Sequence, residues 1–399
     1  AAAASSARTP KSFGLAGPDL NAFELDGAPF RFMAGSMHYW RNRRSEWKPK
    51  LQLMRDLGLN AVLTPTNWAL HEPEEGRWEV GGERDVAAFV RTAAEVGLLV
   101  VMRLGSYATA EMDLGGVPAW LIPKNITTIR SIDPVWQRYE RRYFSRLLAL
   151  LTPHQYPAGP IVCAQLGDDS DVSILKNNYY ALMAKEFRTL GVHVPINTLI
   201  NTGNSGWWGK FNQADVVRLA DNSTFAAFEG VDLAGLGQQL AWMRSQFPRH
   251  NPLVNFEYYS GWIDLEGHAH PNPRSPTVAA YAAGLDKQLA SNLSVSLYMA
   301  VVSCTQSRAP TPQLEHARAS AAGRHQLRFH GRRRVGRRAL DTDHRELRLR
   351  SPDHRRWRPR PEVSAASVRH SQALPRHHPA AAAGWRSTDP QEGLRHRCL

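Results

Sequence analysis

Two hydrophobic patterns alternate along the chain from about residue 23 onward. Short, nearly continuous apolar runs predict buried strands, whereas segments with apolar residues every three or four positions predict amphipathic helices. Three segments show the order helix, glycine, strand, with Gly58, Gly97 and Gly191 at the predicted helix ends. The pattern therefore indicates strands and helices that alternate along one sheet.

The first ordered stretch reads FELDGAPFRFMAGSMHY, residues 23–39. Its two apolar runs flank an Asp-Gly pair, which predicts a hairpin that leads into a buried strand. The first helix should follow directly, with Ser45 as its N-cap. Its buried face should carry Trp47, Leu51, Met54 and Leu57.

Eight segments have the composition of buried strands, and they lie at 31–38, 60–65, 98–104, 160–166, 194–201, 215–220, 252–257 and 294–302. Eight strands with intervening helices in about 280 residues predict an α/β fold, a (β/α)₈ TIM barrel. No GxGxxG or GxxxxGK[ST] motif follows any of these strands. A nucleotide-binding open sheet is therefore disfavoured.

Basic residues are concentrated in the last quarter of the chain. Residues 305–399 hold 21 Arg and 8 acidic residues, which account for the whole formal charge of +13. The preceding 304 residues are neutral, so the barrel itself gives no reason to expect a nucleic-acid partner. We therefore predict an N-terminal extension over 1–22, a barrel domain over 23–304 and a basic tail over 305–399.

The basic tail lacks Lys, Ile, Met, Asn and Tyr and sustains no apolar period. This composition predicts an irregular, disordered, Arg-rich segment. Two other interpretations stay open: an arm that binds phosphates, and a GC-rich reading frame altered near Cys304.

Cysteine usage indicates neither a disulfide framework nor a metal site. The three cysteines, Cys163, Cys304 and Cys398, are too scattered for either. Cys163 lies within an apolar strand and is expected to be a core residue. The cysteines therefore give no reason to expect a metal site built on thiolates.

Localisation signals are weak. No run of 18 apolar residues is present, so no membrane span is expected. The sequence begins without Met, as after removal of a targeting segment. Sequons at Asn125, Asn222 and Asn292 favour a secreted glycoprotein.

Carboxylates fall where the predicted strands end, the part of such a barrel that carries chemistry. They are Glu72, Glu111, Asp168, Asp169 and Glu257. Glu257 is followed by Tyr258, Tyr259 and Trp262, an aromatic setting suited to the faces of a sugar. Carboxylates on the fourth and seventh strands, about 5 Å apart, are what a retaining glycosidase needs. Glu257 could instead be an arginine-paired rim residue, and Asp168 to Asp171 could cap the next helix.

Five segments carry a family resemblance: FELDGAPFRFMAGSMHYWR, WKPKLQLMRDLGLNAV, NWALHEPEEGRWE, GGVPAWLI and NFEYYSGWIDLEGHAH. In this order they resemble the glycoside hydrolase family 35 β-galactosidases across residues 23–302. The resemblance implies an exo-acting retaining enzyme that removes terminal β-D-galactosyl residues from oligosaccharides or glycoconjugates. It also implies that no metal or cofactor is used, and that the enzyme is secreted or lysosomal/vacuolar.

The resemblance also implies residue roles. Glu257 matches the family nucleophile, Ala110 and Glu111 match a sugar-contacting segment, and Tyr259 and Tyr298 match pocket tyrosines. The family's fourth strand ends ENEYG, and the same columns here hold Gly167, Asp168, Asp169, Ser170 and Asp171. Asp168 thus replaces a sugar-contacting asparagine. Asp169 replaces the acid/base glutamate and is one methylene shorter.

Other departures leave alternative functions open. Pro65 stands where the family has a tyrosine, and the GGTNFG loop expected after SLYM is absent. One alternative is a catalytically impaired barrel that still binds galactosides. Another is a nucleic-acid-binding protein that acts through the tail, for which a salt-sensitive affinity for polyanions would be the sign.

Overall fold

The computed structural model describes residues 11–167, 179–200, 223–230, 235–247, 251–262, 272–273 and 275–300. Asp168, Asp169, Asn222 and the tail lie outside the described residues. Within the described part, no helix is long and apolar enough to cross a membrane.

A small antiparallel sheet comes first, formed by β1 (Phe13–Ala16), β2 (Ala22–Leu25) and β3 (Ala28–Phe30). The predicted hairpin is confirmed, since Leu25 pairs with Ala28 across the Asp26-Gly27 turn. Both turn residues have positive φ, 54° and 81°, as a tight two-residue hairpin turn requires.

Eight parallel strands then close into a barrel, which confirms the predicted (β/α)₈ TIM barrel. They are β4 (Met33–Ser36), β5 (Ala61–Pro65), β6 (Leu99–Arg103), β7 (Ile161–Gln165), β8 (Ile196–Ile200), β9 (Thr224–Glu229), β10 (Val254–Tyr259) and β11 (Ser294–Tyr298). Neighbours in the chain are neighbours in the barrel, and β11 pairs with β4 to close it.

The sixth barrel strand differs from the prediction. It is β9, TFAAFE, rather than DVVRLA at 215–220, which lies outside the described residues. Every residue of β9 is buried, as expected of a strand covered on both faces, whereas DVVRLA has at most two consecutive apolar residues. The strand with the longer apolar run is the one that completes the barrel.

Seven α-helices are found in the described residues. They are α1 (Arg44–Asp56), α2 (Trp68–His71), α3 (Val86–Glu95), α4 (Pro134–Leu151), α5 (Tyr179–Thr189), α6 (Leu236–Gln246) and α7 (Val278–Ala290). The predicted cap of α1 is wrong, because Arg43 is the N-cap residue and Ser45 lies inside the first turn. Trp47, Leu51 and Met54 are buried as predicted, and Gly58 follows the helix with φ 90°.

An aromatic cluster fills the amino end of the barrel. Phe23 of β2 packs against Phe32, just before β4, and against Phe225 of β9 at ring-centroid distances of 5.1 and 5.2 Å. Phe32 in turn packs against Phe256 of β10 at 5.6 Å. Cys163 belongs to the same buried interior, which confirms its predicted core position. The three-stranded sheet therefore closes the end of the barrel opposite the carboxyl ends of the strands.

Candidate active site

Glu257 owes its direction to an irregularity in β10. Val254 and Phe256 lie in the barrel interior, whereas Asn255 faces outward and donates to Gln288 Oε1 of α7 at 2.9 Å. Strict alternation would send Glu257 outward with Asn255. The strand's register shifts between Asn255 and Tyr258, and Glu257 instead faces the interior, where it contacts Arg103.

Asn255 supports this irregularity with its side chain. Its Oδ1 accepts from the backbone N–H of Glu257 at 3.1 Å, and its Nδ2 donates to the carbonyl of Gly230 at 3.0 Å. The side chain of Asn255 thus connects the backbone of β10 to the end of β9.

Two donors hold the carboxylate of Glu257. Arg103, which ends β6 on the opposite side of the barrel, pairs with Oε1, and the Tyr259 hydroxyl donates to Oε2 at 2.9 Å. Arg103 is wholly buried and Glu257 is 4% exposed. A buried guanidinium requires a counter-charge, so this geometry fits an ionised carboxylate at the carboxyl end of the barrel.

Aromatic rings surround this carboxylate. Tyr259 packs edge-on against Tyr298 at 5.7 Å and against Trp262 at 5.3 Å. Tyr258, by contrast, faces away from the interior, because it stacks on Tyr281 of α7 and its hydroxyl donates to the Tyr281 carbonyl at 2.7 Å. The prediction that Tyr258 contributes to a sugar-binding setting is therefore wrong.

His38, two residues beyond β4, extends the aromatic wall. Its ring stacks on Trp40 at 5.1 Å and meets Tyr298 at 6.1 Å. Burial, followed by the charges of Arg41 and Arg103, lowers the pKa of His38 well below its usual value. Arg41 donates to Nδ1 at 3.1 Å, so the neutral ring carries its proton on Nε2, which has no hydrogen-bond partner among the described residues. A neutral hydrogen-bond donor thus stands beside Tyr298.

Ala110 and Glu111 lie in an unusual turn after β6. Thr109, Ala110 and Glu111 have φ of 52°, 48° and 49°, a left-handed conformation that costs about 1 to 2 kcal/mol per residue. Arg41 donates to the carbonyls of Ala110 and Glu111 and pairs with the Glu111 carboxylate at 3.3 Å. These contacts offset the cost of the turn and hold Glu111 at the half-exposed rim.

Glu72 is not a site residue, although it follows a barrel strand. It is wholly buried, and its oxygens accept from Trp68 Nε1 at 2.9 Å, Gly76 N at 2.8 Å and Arg142 Nη2 at 2.6 Å. A carboxylate whose lone pairs are taken by protein donors is a structural anchor. Glu72 joins α2 to α4.

Sequence analysis missed two charged residues of the strand ends. Arg103 follows the apolar run LLVVM directly, and a search for bases as well as acids finds it. Glu229 ends β9, is 7% exposed and is the register partner of Glu257. Its signal, an apolar run that ends in Glu-Gly, was lost when the sixth strand was placed at 215–220.

No group of three or more His, Cys, Asp or Glu side chains that could hold a metal ion occurs in the described part of the chain. Asp168 and Asp169 lie outside it and directly follow Gly167, whose carbonyl accepts from Gln165 Nε2 at 2.8 Å. The predicted residues that the structure brings together are therefore Glu257, Tyr259 and Tyr298, with Ala110 and Glu111 in the turn that Arg41 joins to His38.

Comparison with known proteins identifies the family of the chain. The sequence profile of Glycosyl hydrolases family 35 matches residues 22–306. The chain is 35% identical to a β-galactosidase of Felis catus and 33% identical to one of Homo sapiens, each over 281 residues. Those alignments cover 70% of this chain and 40% of each relative, so the chain spans about two fifths of their length.

Solved structures show the fold. The β-galactosidase of the psychrophilic Marinomonas ef1 superposes with a TM-score of 0.54 at 11% identity, over 72% of this chain and 58% of that one. An endogalactoceramidase superposes with a TM-score of 0.51 at 13% identity, over 74% and 76%. From the family match and the identity to its relatives, the chain belongs to glycosyl hydrolase family 35.

Proposed function

We propose that this chain is a retaining exo-β-galactosidase that hydrolyses terminal β-D-galactosyl residues, with Glu257 as the nucleophile. The observation that carries the proposal is the buried Glu257 carboxylate between Arg103 and Tyr259 at the carboxyl end of the barrel. An ionised carboxylate is the form that attacks an anomeric carbon, and pairing with Arg103 favours that form. The β-galactosidases that the chain matches support the choice of galactose.

The reaction would take two steps. In the first, Glu257 forms a bond to the anomeric carbon while the bond to the aglycone oxygen breaks, and Asp169 gives that oxygen its proton. In the second, water attacks the same carbon, Asp169 takes the water proton, and the bond to Glu257 breaks. Asp169 is proposed from its place after β7 and from the family resemblance.

The remaining predicted residues are proposed to bind galactose. Tyr259 and Tyr298 form a wall beside Glu257, while Glu111 presents a carboxylate at the rim and Ala110 a backbone held by Arg41. Asp168 is proposed for the sugar contact that the family assigns to asparagine. His38 adds a buried Nε2 donor next to Tyr298, which is a suitable partner for a sugar hydroxyl.

Covalent trapping tests the proposal. A 2-deoxy-2-fluoro β-galactosyl fluoride should add one 2-deoxy-2-fluorogalactosyl group per chain with release of fluoride ion, and peptide mapping should place the group on Glu257. Glu257→Gln should abolish the label, whereas Glu111→Gln should retain it. A label on Glu111, or none on Glu257 in a chain that releases galactose, would overturn the assignment.

A second candidate function is galactoside binding without turnover. The observation that favours it is Asp169 itself, whose carboxyl is one methylene shorter than the family glutamate. A displacement of about 1 Å can cost roughly 10²-fold in rate. Saturable binding of galactose, with neither label nor hydrolysis of aryl galactosides, would favour this function.

We also propose that residues 23–304 form the catalytic unit and that the tail takes no part in it. Deletion of 305–399 should leave galactosidase activity and the unfolding midpoint unchanged. Binding of the full chain to single-stranded DNA that weakens with salt, and that is lost on this deletion, would instead support the nucleic-acid function.

A secreted or lysosomal/vacuolar location is proposed from the sequons. Asn125 and Asn292 are exposed, as an attached glycan requires. Expression in a eukaryotic secretory pathway should add mass that peptide-N-glycosidase removes, and Asn125→Gln should reduce it. Unmodified protein from that pathway would contradict the glycoprotein proposal.

A further inference from the structure

Glu140 is a buried carboxyl group that the proposed reaction does not use. It lies on α4, in the stripe of buried residues that includes Trp136, Tyr143 and Phe144. Its exposed fraction is 2%. A carboxyl group within the apolar face of a helix destabilises the fold unless it is hydrogen-bonded. The hydrogen-bond partners of Glu140 therefore indicate what it does.

The contacts of Glu140 join a loop to the start of a helix. Ser106, three residues after β6, donates its hydroxyl to Glu140 Oε1, and Tyr179, the first residue of α5, donates to the same oxygen. The two hydroxyl oxygens are 3.3 Å apart. Gln137 of the same helix donates to Oε2 at 3.3 Å. One carboxyl group thus fastens the loop after β6 to the start of α5.

Neighbouring contacts extend this attachment. Tyr180 accepts from Arg130 at 3.0 Å, and the Arg130 guanidinium lies 4.6 Å over the ring of Tyr107. Gly115 packs so closely against Tyr107 that a Cβ at this position would lie 2.3 Å from its ring. Tyr107, which directly follows Ser106, is therefore packed between Arg130 and Gly115.

Both fastened segments lead to the proposed site. Ser106 lies four and five residues before Ala110 and Glu111. In sequence, Asp168 and Asp169 lie between Gly167 and Tyr179, and Tyr180 reaches back to Gly167: a Cβ on that glycine would lie 3.4 Å from the Tyr180 hydroxyl. The loops after β6 and β7 also meet directly, because a Cβ on Gly105 would lie 2.6 Å from Gly167 Cα.

We propose that Glu140 is a positioning residue: through Ser106 and Tyr179 it holds the loop after β6 against the start of α5, and so keeps the turn of Ala110 and Glu111, which is proposed to bind the sugar, in place. The inference rests on the proposed function. Glu140 acts through Ser106 and Tyr179, to which its Oε1 is hydrogen-bonded, and is given no contact with the sugar. Among the described residues, the charged and titratable groups facing it are Arg130 and Tyr179.

The test compares three variants with the wild type. Glu140→Leu removes both acceptor oxygens, and Glu140→Gln keeps one that Ser106 and Tyr179 can still use. Gln155→Leu is the matched control: Gln155 is 3% exposed and fastens Gly191 and His193 at the amino ends of the strands. Turnover of an aryl β-galactoside, its pH profile and the unfolding midpoint are measured for each.

Glu140→Leu should lower kcat by about 10²-fold, as expected for a misplaced catalytic geometry, and raise KM. Glu140→Gln should stay within about threefold of wild type, because its amide oxygen still accepts both hydroxyls. Gln155→Leu should lower the unfolding midpoint and leave kcat and KM unchanged. If Glu140→Leu and Gln155→Leu share one kcat at equal folded fraction, Glu140 is not a positioning residue.

Hydrogen exchange separates this inference from the proposed function. In Glu140→Leu, the amide hydrogens of peptides covering 104–111 and 179–187 should exchange faster than in the wild type. In Gln155→Leu their exchange rates should be those of the wild type. Both results are expected whether or not the chain hydrolyses galactosides. Equal exchange in both would overturn the fastening role, while a wild type inert toward every β-galactoside would overturn only the proposed function. If Glu140→Leu alone does not fold, the triple variant Ser106→Ala, Glu140→Leu, Tyr179→Phe removes the same contacts without leaving an unsatisfied hydroxyl or carboxyl group, and the same outcomes decide.

Discussion

The side chains of Arg103 and Glu257 form an ion pair inside the barrel from opposite strands, and both residues are buried. Removal of one member of a buried ion pair leaves the other uncompensated, at a cost of about 3 to 5 kcal/mol. We expect Arg103→Met to lower the free energy of unfolding by roughly that amount and to abolish galactosyl transfer to Glu257.

Urea unfolding and the rate of covalent labelling measure the two effects. Arg44→Met is the control, since Arg44 forms an exposed ion pair with Asp85 at 3.2 Å and should change stability by less than about 1 kcal/mol. Labelling at wild-type rate in a folded Arg103→Met would show that the pair is structural only.

Two adjacent tyrosines provide a matched pair. The Tyr259 hydroxyl donates to Glu257, whereas the Tyr258 hydroxyl donates to a helix carbonyl outside the barrel. Tyr259→Phe should reduce kcat by about 10-fold or more, because the donor to the nucleophile is lost. Tyr258→Phe should leave kcat unchanged and cost about 1 kcal/mol of stability. Equal kcat values in the two variants would contradict a role for Tyr259.

Asp169 can be tested by changing the leaving group. If it protonates the aglycone oxygen, the chain should cleave activated aryl galactosides much better than lactose, and Asp169→Ala should remove the alkaline limb of the pH profile. Azide should partly restore Asp169→Ala, because it attacks the glycosyl-enzyme without a general base. Asp169→Glu should raise activity on lactose by restoring the missing methylene.

If Asp169→Ala and Asp169→Glu both behave as the wild type on every substrate, Asp169 caps a helix and takes no part in catalysis. The Ser170→Ala variant serves as the neighbouring control and should match the wild type.

Two buried groups give stability opposite dependences on pH. Burial raises the pKa of Glu140 from 4.5 to about 7, so the folded protein holds this proton more tightly than the unfolded chain. The resulting stabilisation, about 3 kcal/mol at most, is complete below pH 4.5 and is lost as the pH rises through 7. The stability of wild type relative to Glu140→Gln should therefore fall between about pH 5 and about pH 8.

His71 supplies the sign control. Burial lowers its pKa from 6.5 to about 4, so its contribution is present above pH 6.5 and is lost as the pH falls toward 4. As the pH rises from 4.5 to 6.5, wild type should gain stability relative to His71→Asn while it loses stability relative to Glu140→Gln. Urea denaturation at each pH measures both, and parallel curves would contradict the assignment of these groups.

The fold was predictable because helix and strand patterns repeat locally, and seven of the eight barrel strands were placed from apolar runs alone. The direction of Glu257 was not, because it depends on a register shift that only the pairing of β10 with its neighbours creates. The structural role of Glu72 was hidden for a similar reason, since Arg142 approaches it from a helix 70 positions later. Sequence indicates where a carboxylate stands along a strand, whereas its neighbours across the barrel decide what it can do.

The aromatic cluster of Phe23, Phe32 and Phe256 limits the routes by which small molecules can reach and leave the proposed site. Because the cluster fills the amino end of the barrel, galactoside, aglycone and water would all enter and leave through the opening at the carboxyl end. The aglycone must depart before a water molecule reaches the glycosyl-enzyme, and any alcohol waiting at that opening competes with water. For the proposed galactosidase, transgalactosylation should therefore rise with the concentration of an added alcohol or sugar acceptor.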